Sequence, residues 1–367
     1  GTPLLIVAGA GSGKTRVLTR RIAYLMRERA VSPQEILAIT FTNKAAGEMK
    51  ERVADLVGAP ARMMWVSTFH SACVRILRNE AKRLNLKPSF TIYDTQDSVR
   101  MLSLVSKDLG IDPKSYSPKY LLGQISNLKN ELIDYEDAIS KAVTAQEQTV
   151  AQAYGEYQRR LMLASAVDFD DLIGHTVALL QAFPDVAEHY HRRFRHVLVD
   201  EYQDTNHAQY VLIRELVGNG KDGIAPAELC VVGDADQSIY AFRGANIRNI
   251  VEFERDYSDA KTVVLEQNYR STQNILTSAN SVIEKNSGRP AKRLWTAEGS
   301  GEKIVIYTAN DEHHERRRPL RRPGRHPGIH GGALRRQVLQ RSPPHGHRDL
   351  PRPQEGAEGP GSLHLRR

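Results

Sequence analysis

Eight residues near the start of the chain, Ala8-Gly9-Ala10-Gly11-Ser12-Gly13-Lys14-Thr15, have the residue types and spacing of a phosphate cradle. Glycines at alternate positions let the backbone turn its N–H groups inward around anionic oxygens. A helix opening near Lys14 would add the positive end of its dipole. The Lys14 ammonium suits the β- and γ-phosphates of a nucleotide, and the Thr15 hydroxyl suits Mg2+. Ala8 is the one departure, standing at the first position of the pattern. A glycine-rich turn that binds nothing is the bland alternative, and the Lys-Thr pair in register argues against it. A second stretch, Val197-Leu198-Val199-Asp200-Glu201-Tyr202-Gln203-Asp204, runs from apolar residues into acids. That pattern places Asp200 at the carboxyl edge of a strand, where ligands bind in open parallel sheets. Asp200 would hold Mg2+ through water, and Glu201 would orient or deprotonate an attacking water. An Asp-Glu pair alone is usually a solvated loop; with the cradle upstream it points to nucleoside triphosphate chemistry.

Positioning these groups requires strands that end at them. Short apolar runs at Leu4–Ala8, Ile36–Thr40, Met64–Ser67, His196–Asp200, Leu229–Gly233 and Thr262–Leu265 are predicted as buried strands. Helical patterns follow at Lys14–Arg29, Lys44–Leu56 and His70–Leu84, as expected for parallel strands joined by crossover helices. The fold class is therefore α/β, a P-loop NTPase parallel sheet. Between about Asp94 and Ala187 apolar residues recur at three-to-four spacing without β-branched runs, which predicts a helical insertion. A second α/β unit is predicted from about Thr272, with a helix to Asn286 and a strand at Lys303–Tyr307. Trp65, Trp295 and Tyr93 are expected in the core.

Further motifs follow in order: Ala38-Ile39-Thr40-Phe41-Thr42-Asn43-Lys44-Ala45-Ala46, Ser67-Thr68-Phe69-His70-Ser71, Asp168-Phe169-Asp170-Asp171-Leu172, Val232-Gly233-Asp234-Ala235-Asp236-Gln237-Ser238-Ile239-Tyr240 and Gln267-Asn268-Tyr269-Arg270-Ser271. With them the chain, from the phosphate loop to about Asp311, resembles the UvrD/PcrA/Rep group of superfamily 1A DNA helicases. The resemblance implies a RecA-like motor domain 1A over residues 1–93 and 188–271, a helical 1B insertion over 94–187, and the start of motor domain 2A over 272–314. It implies ATP and Mg2+ as cofactors, with Ala8 to Thr15 around the phosphates and Thr15 and Asp200 at the metal. Lys14, Glu201, Gln237 and Arg270 would act in catalysis. Gln237 would link the γ-phosphate to the DNA-contacting strand, and Arg270 would grip phosphate oxygens bidentately. Tyr269 would stack on adenine with Arg16 nearby. For single-stranded DNA the similar positions are Phe41, His70, Tyr240, Phe242 and Arg243, with Thr42 and Asn43 at phosphates. Bases stack on aromatic platforms without being read, each platform contributing about 1–3 kcal/mol. Phe242 departs from the Trp that relatives often carry. The implied activity is ATP-driven 3′→5′ movement on single-stranded DNA and at single-strand/double-strand junctions, in repair or replication, with proteins of those pathways as candidate partners.

A chain of 367 residues, 40% hydrophobic and 26% charged, is ordinary for two or three globular domains. No apolar run reaches the roughly 18 residues of a membrane span. No signal peptide is recognised, and Cys73 and Cys230 read as reduced core thiols, so a cytoplasmic location is expected. The net charge of +8 is uneven: residues 316–367 contain 13 arginines, no lysine and three acids, while the other 315 residues carry a net of −2. DNA contact by the body must then rest on local patches, weakened by salt. In that terminal stretch Arg, Pro, Gly and His supply 34 of 52 residues, so residues 315–367 are expected to be a disordered tail. A basic nucleic-acid-binding arm, a plain extension and an out-of-frame translation of a GC-rich gene all fit; the last accounts best for the composition. On that reading the chain is truncated. The adenine-reading glutamine would precede Gly1, and the trans-acting arginine, worth about 10³–10⁵ in turnover, would be missing. The chain is then expected to bind nucleotide, hydrolyse it poorly and unwind nothing. A non-catalytic nucleotide- and DNA-binding fragment, the motor of a helicase–nuclease and a small-molecule kinase are the alternatives. Translating the coding DNA from about codon 315 in the other two frames is expected to continue a strand–helix pattern; absence of one in both frames counts against the out-of-frame reading.

Overall fold

The computed structural model describes residues 2–240, 244–286 and 292–305. Among them eight strands form: β1 (Leu4–Ala8), β2 (Ile36–Thr40), β3 (Trp65–Thr68), β4 (Thr91–Ile92), β5 (Ala166–Val167), β6 (His196–Val199), β7 (Glu228–Gly233) and β8 (Lys261–Leu265). Six of them make one sheet in the order β3-β2-β6-β7-β1-β8, every pair parallel. These are the six runs expected from sequence, shifted by at most one residue at an end.

The sheet is covered on both faces, which is why its central strands are continuous apolar runs. Period-two alternation assigns the faces. Leu5, Val7, Leu37, Ile39, Val197, Val199, Leu229 and Val231 share one apolar core, while Ile6, Ala8, Ile36, Ala38, Leu198, Cys230 and Val232 share another. The second core is closed by α1 (Lys14–Arg27) and α2 (Asn43–Val57), through Leu18, Ile22, Leu25, Met49 and Val53. The first is closed partly by α3 (Phe69–Glu80). Both α2 and α3 start where a threonine ends the preceding strand or loop: the Thr42 and Thr68 hydroxyls accept from the Ala45 and Ser71 N–H groups.

The predicted insertion is helical apart from the two-residue strand β5, and packing divides it. α4 (Thr95–Asp108), α5 (Pro118–Asn130), α6 (Tyr135–Lys141) and α7 (Ala145–Leu163) bury Leu102, Val105, Leu121, Ile125, Tyr154, Tyr157 and Leu161 in a core of their own. α8 (Phe169–Ala182) and α9 (Pro184–Arg193) instead bury Leu172, Ile173, Val177, Leu180, Val186 and Tyr190 in the first sheet core. The chain enters and leaves the helical unit through the small parallel pair β4–β5, Thr91 opposite Ala166 and Ile92 opposite Val167. No strand was expected there, because two residues are too few to show alternation. The remaining helices are α10 (His207–Val217), α11 (Arg248–Val251), α12 (Phe253–Asp256) and α13 (Gln273–Ile283).

Other expectations need correction. Residues 303–305 form no strand, and the rest of the Lys303–Tyr307 expectation lies outside the described residues. Trp65 is buried as expected, but Trp295 is 47% exposed. Tyr93 packs against the helical core, and both cysteines are buried and free. Among the described residues no helix is long and apolar enough to cross a membrane. The tail over 315–367 lies outside the described residues.

The helical unit is locked to α8 by a buried charge cluster. Lys129 Nζ on α5 lies 2.7 Å from both Asp168 Oδ2 and Asp171 Oδ1. The Tyr157 hydroxyl donates to Asp168 at 3.0 Å and Gln158 Nε2 to Asp171 at 3.2 Å. Burial works against the Lys129 charge, but the two carboxylates more than offset it and hold its pKa above the ordinary range. Removing the ammonium alone leaves two buried acids uncompensated. Lys129→Met is therefore expected to lower the unfolding free energy by about 3–5 kcal/mol, read from urea titrations; a change near zero would mean the cluster does not join the two units.

Candidate active site

Because β6, β7 and β1 are neighbours, the loops leaving their carboxyl ends open into one space. The loop after β1 takes left-handed backbone at Gly11 (φ 71°) and Gly13 (φ 92°), the latter capping α1. The Ser12 hydroxyl donates to Gly9 O at 2.7 Å and closes the turn. Residues 268–270 lean against it: Asn268 Nδ2 donates to Ala10 O at 2.5 Å and Tyr269 N–H to Gly11 O at 3.0 Å. A Cβ on Gly11 would lie 2.6 Å from Asn268 Nδ2 and 2.8 Å from Arg270 Cβ, so the close approach itself demands glycine.

Lys14 Nζ lies 2.9 Å from Gln237 Oε1 and 3.6 Å from Glu201 Oε2. The Asp200 carboxylate accepts from Glu201 N–H at 3.0 Å and is hydrogen-bonded to the Thr15 hydroxyl. Lys14, Thr15, Asp200, Glu201 and Gln237, all singled out from sequence, thus converge. Glu201 has left-handed backbone (φ 50°), a conformation costing a non-glycine residue about 1–3 kcal/mol. Burial, followed by the neighbouring Glu201 charge, pushes the Asp200 carboxyl up to about 6 against the pull of the Glu201 N–H, Lys14 and Thr15. Burial and Glu201 likewise push Asp204 up to about 6.

Thr15 and Asp200 offer hard oxygen donors, a hydroxyl and a carboxylate whose charge burial leaves poorly solvated. That donor set fits a Mg2+ that keeps waters and shares phosphate oxygens. Among the described residues no group of three or more His, Cys, Asp or Glu forms a dedicated metal cage.

Beside the loop a cleft of about 860 Å³ is lined by Gly11, Gly13, Arg16 and Tyr269, and further along α1 by Arg20 and Tyr24. Arg20 and Tyr24 were not singled out from sequence, although they follow Arg16 at helical spacing. Nor were Gln203, which donates to Glu201 Oε2 at 2.9 Å, and Lys292, which pairs with Asp234 and Asp236.

The expected base-stacking residues form a separate face. Phe41 and Tyr240 stack with centroids 5.8 Å apart and planes 28° apart. His70 meets Phe169 edge-on at 5.5 Å, and burial holds its imidazole pKa below the ordinary range. The Ser71 hydroxyl donates to Asn43 Oδ1 at 3.4 Å, joining the two loop starts, and Thr42 and Asn43 are exposed. Phe169, half exposed and unassigned from sequence, belongs with this face. Phe242 and Arg243 lie outside the described residues.

The Asp200 carboxyl has a consequence for stability. Its folded value of about 6 exceeds an ordinary 3.8, so its contribution favours folding below about pH 4 and is lost as pH rises through 6. Asp200→Asn, which keeps an oxygen for the Glu201 N–H, is expected to stabilise the metal-free protein by about 1–3 kcal/mol at pH 7.5 and by little below pH 4. Urea unfolding in a chelating buffer at both pH values measures this; destabilisation at pH 7.5 would contradict it.

Residues 1–258 match the UvrD/REP helicase N-terminal domain, and residues 263–322 match the UvrD-like helicase C-terminal domain. The ATP-dependent DNA helicase UvrD1 of Mycobacterium tuberculosis is 67% identical over 322 residues, 86% of this chain and 42% of that protein. UvrD1 of Mycobacterium leprae is 64% identical over 324 residues, with the same coverage, 86% and 42%. The ATP-dependent DNA helicase PcrA of Staphylococcus aureus is 55% identical over 313 residues, 85% of this chain and 42% of that protein. The chain thus spans about 42% of the length of these relatives. By the extent of these matches, the chain belongs to the UvrD/REP helicase family.

Proposed function

We propose that the chain carries the nucleotide site and part of the single-stranded DNA face of an ATP-dependent 3′→5′ DNA helicase, acting on single strands and single-strand/double-strand junctions in cytoplasmic DNA repair or replication. The observation that carries this reading is the meeting of Lys14, Glu201 and Gln237 at one end of a loop whose other end holds Tyr240 against Phe41.

Backbone N–H groups of the phosphate loop other than those of Gly9 and Ser12, which donate to the Leu265 and Gly9 carbonyls, would bind the β- and γ-phosphates with the Lys14 ammonium. Thr15 and Asp200 would hold Mg2+, which supplies charge neutralisation on the phosphate oxygens. Glu201, fixed by its left-handed backbone and the Gln203 amide, would orient the attacking water and accept its proton. Arg16 and Tyr269 would flank the adenine, and Arg270 would add a guanidinium at the γ-phosphate. Gln237 releases its contact with Lys14 when phosphate competes for the ammonium. That release gives the Asp234–Tyr240 loop a reason to move when nucleotide binds. Phe41, His70 and Tyr240, with Phe242 and Arg243 beyond them in sequence, would stack on bases or hold the backbone, while Thr42 and Asn43 contact phosphates.

Lys14→Met is expected to cut DNA-stimulated ATP turnover by about 10²-fold or more without lowering the melting temperature. Phe41→Ala and Tyr240→Ala should each weaken binding of a thymidine oligomer by about 1–3 kcal/mol, with affinity falling as salt rises. Turnover assays and fluorescence anisotropy read both. Unchanged values in all three variants would sink the assignment, and binding of both ligands without turnover would favour a nucleotide- and DNA-binding module.

A further inference from the structure

Gln203 is 1% exposed and does not line the cleft, yet both ends of its amide are used. Its Oε1 accepts from the Asp234 N–H at 2.9 Å. Its Nε2 donates to Glu201 Oε2 at 2.9 Å and to Asp204 Oδ2 at 3.2 Å. The orientation is chemically determined: a backbone N–H can only donate and ionised carboxylates can only accept, so the amide cannot be flipped. Gly233 supplies the room, since a Cβ there would lie 2.7 Å from Gln203 Oε1. The Ser238 hydroxyl donates to the Gln203 carbonyl at 3.3 Å, a second tie to the same loop.

That loop is internally braced. Asp236 N–H donates to Asp234 Oδ1 at 3.0 Å, Gln237 N–H to Asp234 O at 2.8 Å, and the Gln237 amide to the Asp234 carboxylate. It therefore moves as a piece from Asp234 to Gln237, and Tyr240 follows three residues on. Because the Gln203 amide is planar, a shift of the Asp234 N–H by about 1 Å turns its donor away from Glu201. We propose that Gln203 is a positioning residue that transmits the position of the Asp234–Tyr240 loop to the Glu201 carboxylate, so that engagement of Tyr240 by single-stranded DNA sets the geometry of the water-orienting group. This rests on the DNA-binding reading of that face.

Hydrogen exchange of the full chain, with and without a saturating thymidine oligomer, tests it. In the wild type the oligomer should alter exchange both in the 234–240 loop and in residues 201–206, where the Asp204 and Thr205 N–H groups are hydrogen-bonded to Glu201 and Tyr202 carbonyls. In Gln203→Met the loop should still respond while the response of 201–206 is lost. A wild-type response confined to the loop overturns the proposal without any variant, and so does a Gln203→Met protein that transmits as the wild type does. If the oligomer changes neither segment in the wild type, the DNA-binding reading itself fails and the proposal falls with it.

Discussion

The Lys14 ammonium bridges loops 223 positions apart in the chain. That contact depends on strand order: with β6, β7 and β1 adjacent, an acid from one loop, an amide from the next and an ammonium from the third face the same space. The same order crowds Asp200, Glu201 and Asp204 together. Burial, and after it the neighbouring Glu201 charge, pushes the Asp200 and Asp204 carboxyls up to about 6. The left-handed backbone of Glu201 adds to this local instability. It persists because the strands that end there are fixed by apolar layers on both faces of the sheet, which over-determine where each loop must begin.

Much of this was legible in the sequence because it is encoded by short periodicities and by residue types with few alternative uses. Leu4–Ala8 is apolar at every position and Ile36–Thr40 at all but its last, as a twice-covered strand requires, and their ends coincide with the residues that carry chemistry. What escaped depends on partners rather than on pattern. The helices before and after β5 share one amphipathic period, so nothing in 94–187 reveals that α7 closes a core of its own while α8 packs on the sheet. Trp295 suggests a core by its size, yet its backbone pairs with Gln267 while its ring stays half exposed. Gln203 reads as one polar residue in an acidic loop; its importance lies in a carbonyl facing Asp234, thirty-one positions away.

The segment after Glu201 shows how the remaining parts are made to depend on one another. Asn206 caps α10 with its carbonyl oxygen, and its amide donates to Asn130 Oδ1 at 2.6 Å, one residue beyond the buried Lys129. Asn249 Nδ2 donates to the Thr205 carbonyl and hydroxyl, both at 3.0 Å, and Asn246 N–H donates to the Thr205 carbonyl at 2.9 Å. Residues 200–206 are therefore held by the sheet at one end and, at the other, by the helical unit and the 246–249 segment. Polar contacts of this kind are directional, unlike apolar packing, so displacing any one partner leaves a donor or acceptor unpaired instead of merely loosening a surface. A rigid-body movement of the helical unit would be felt through Asn130 at Asn206, only five residues from the carboxylate that faces the phosphate loop. The acidic loop is thus the place where movements of the aromatic face, the helical unit and the nucleotide cradle must be reconciled.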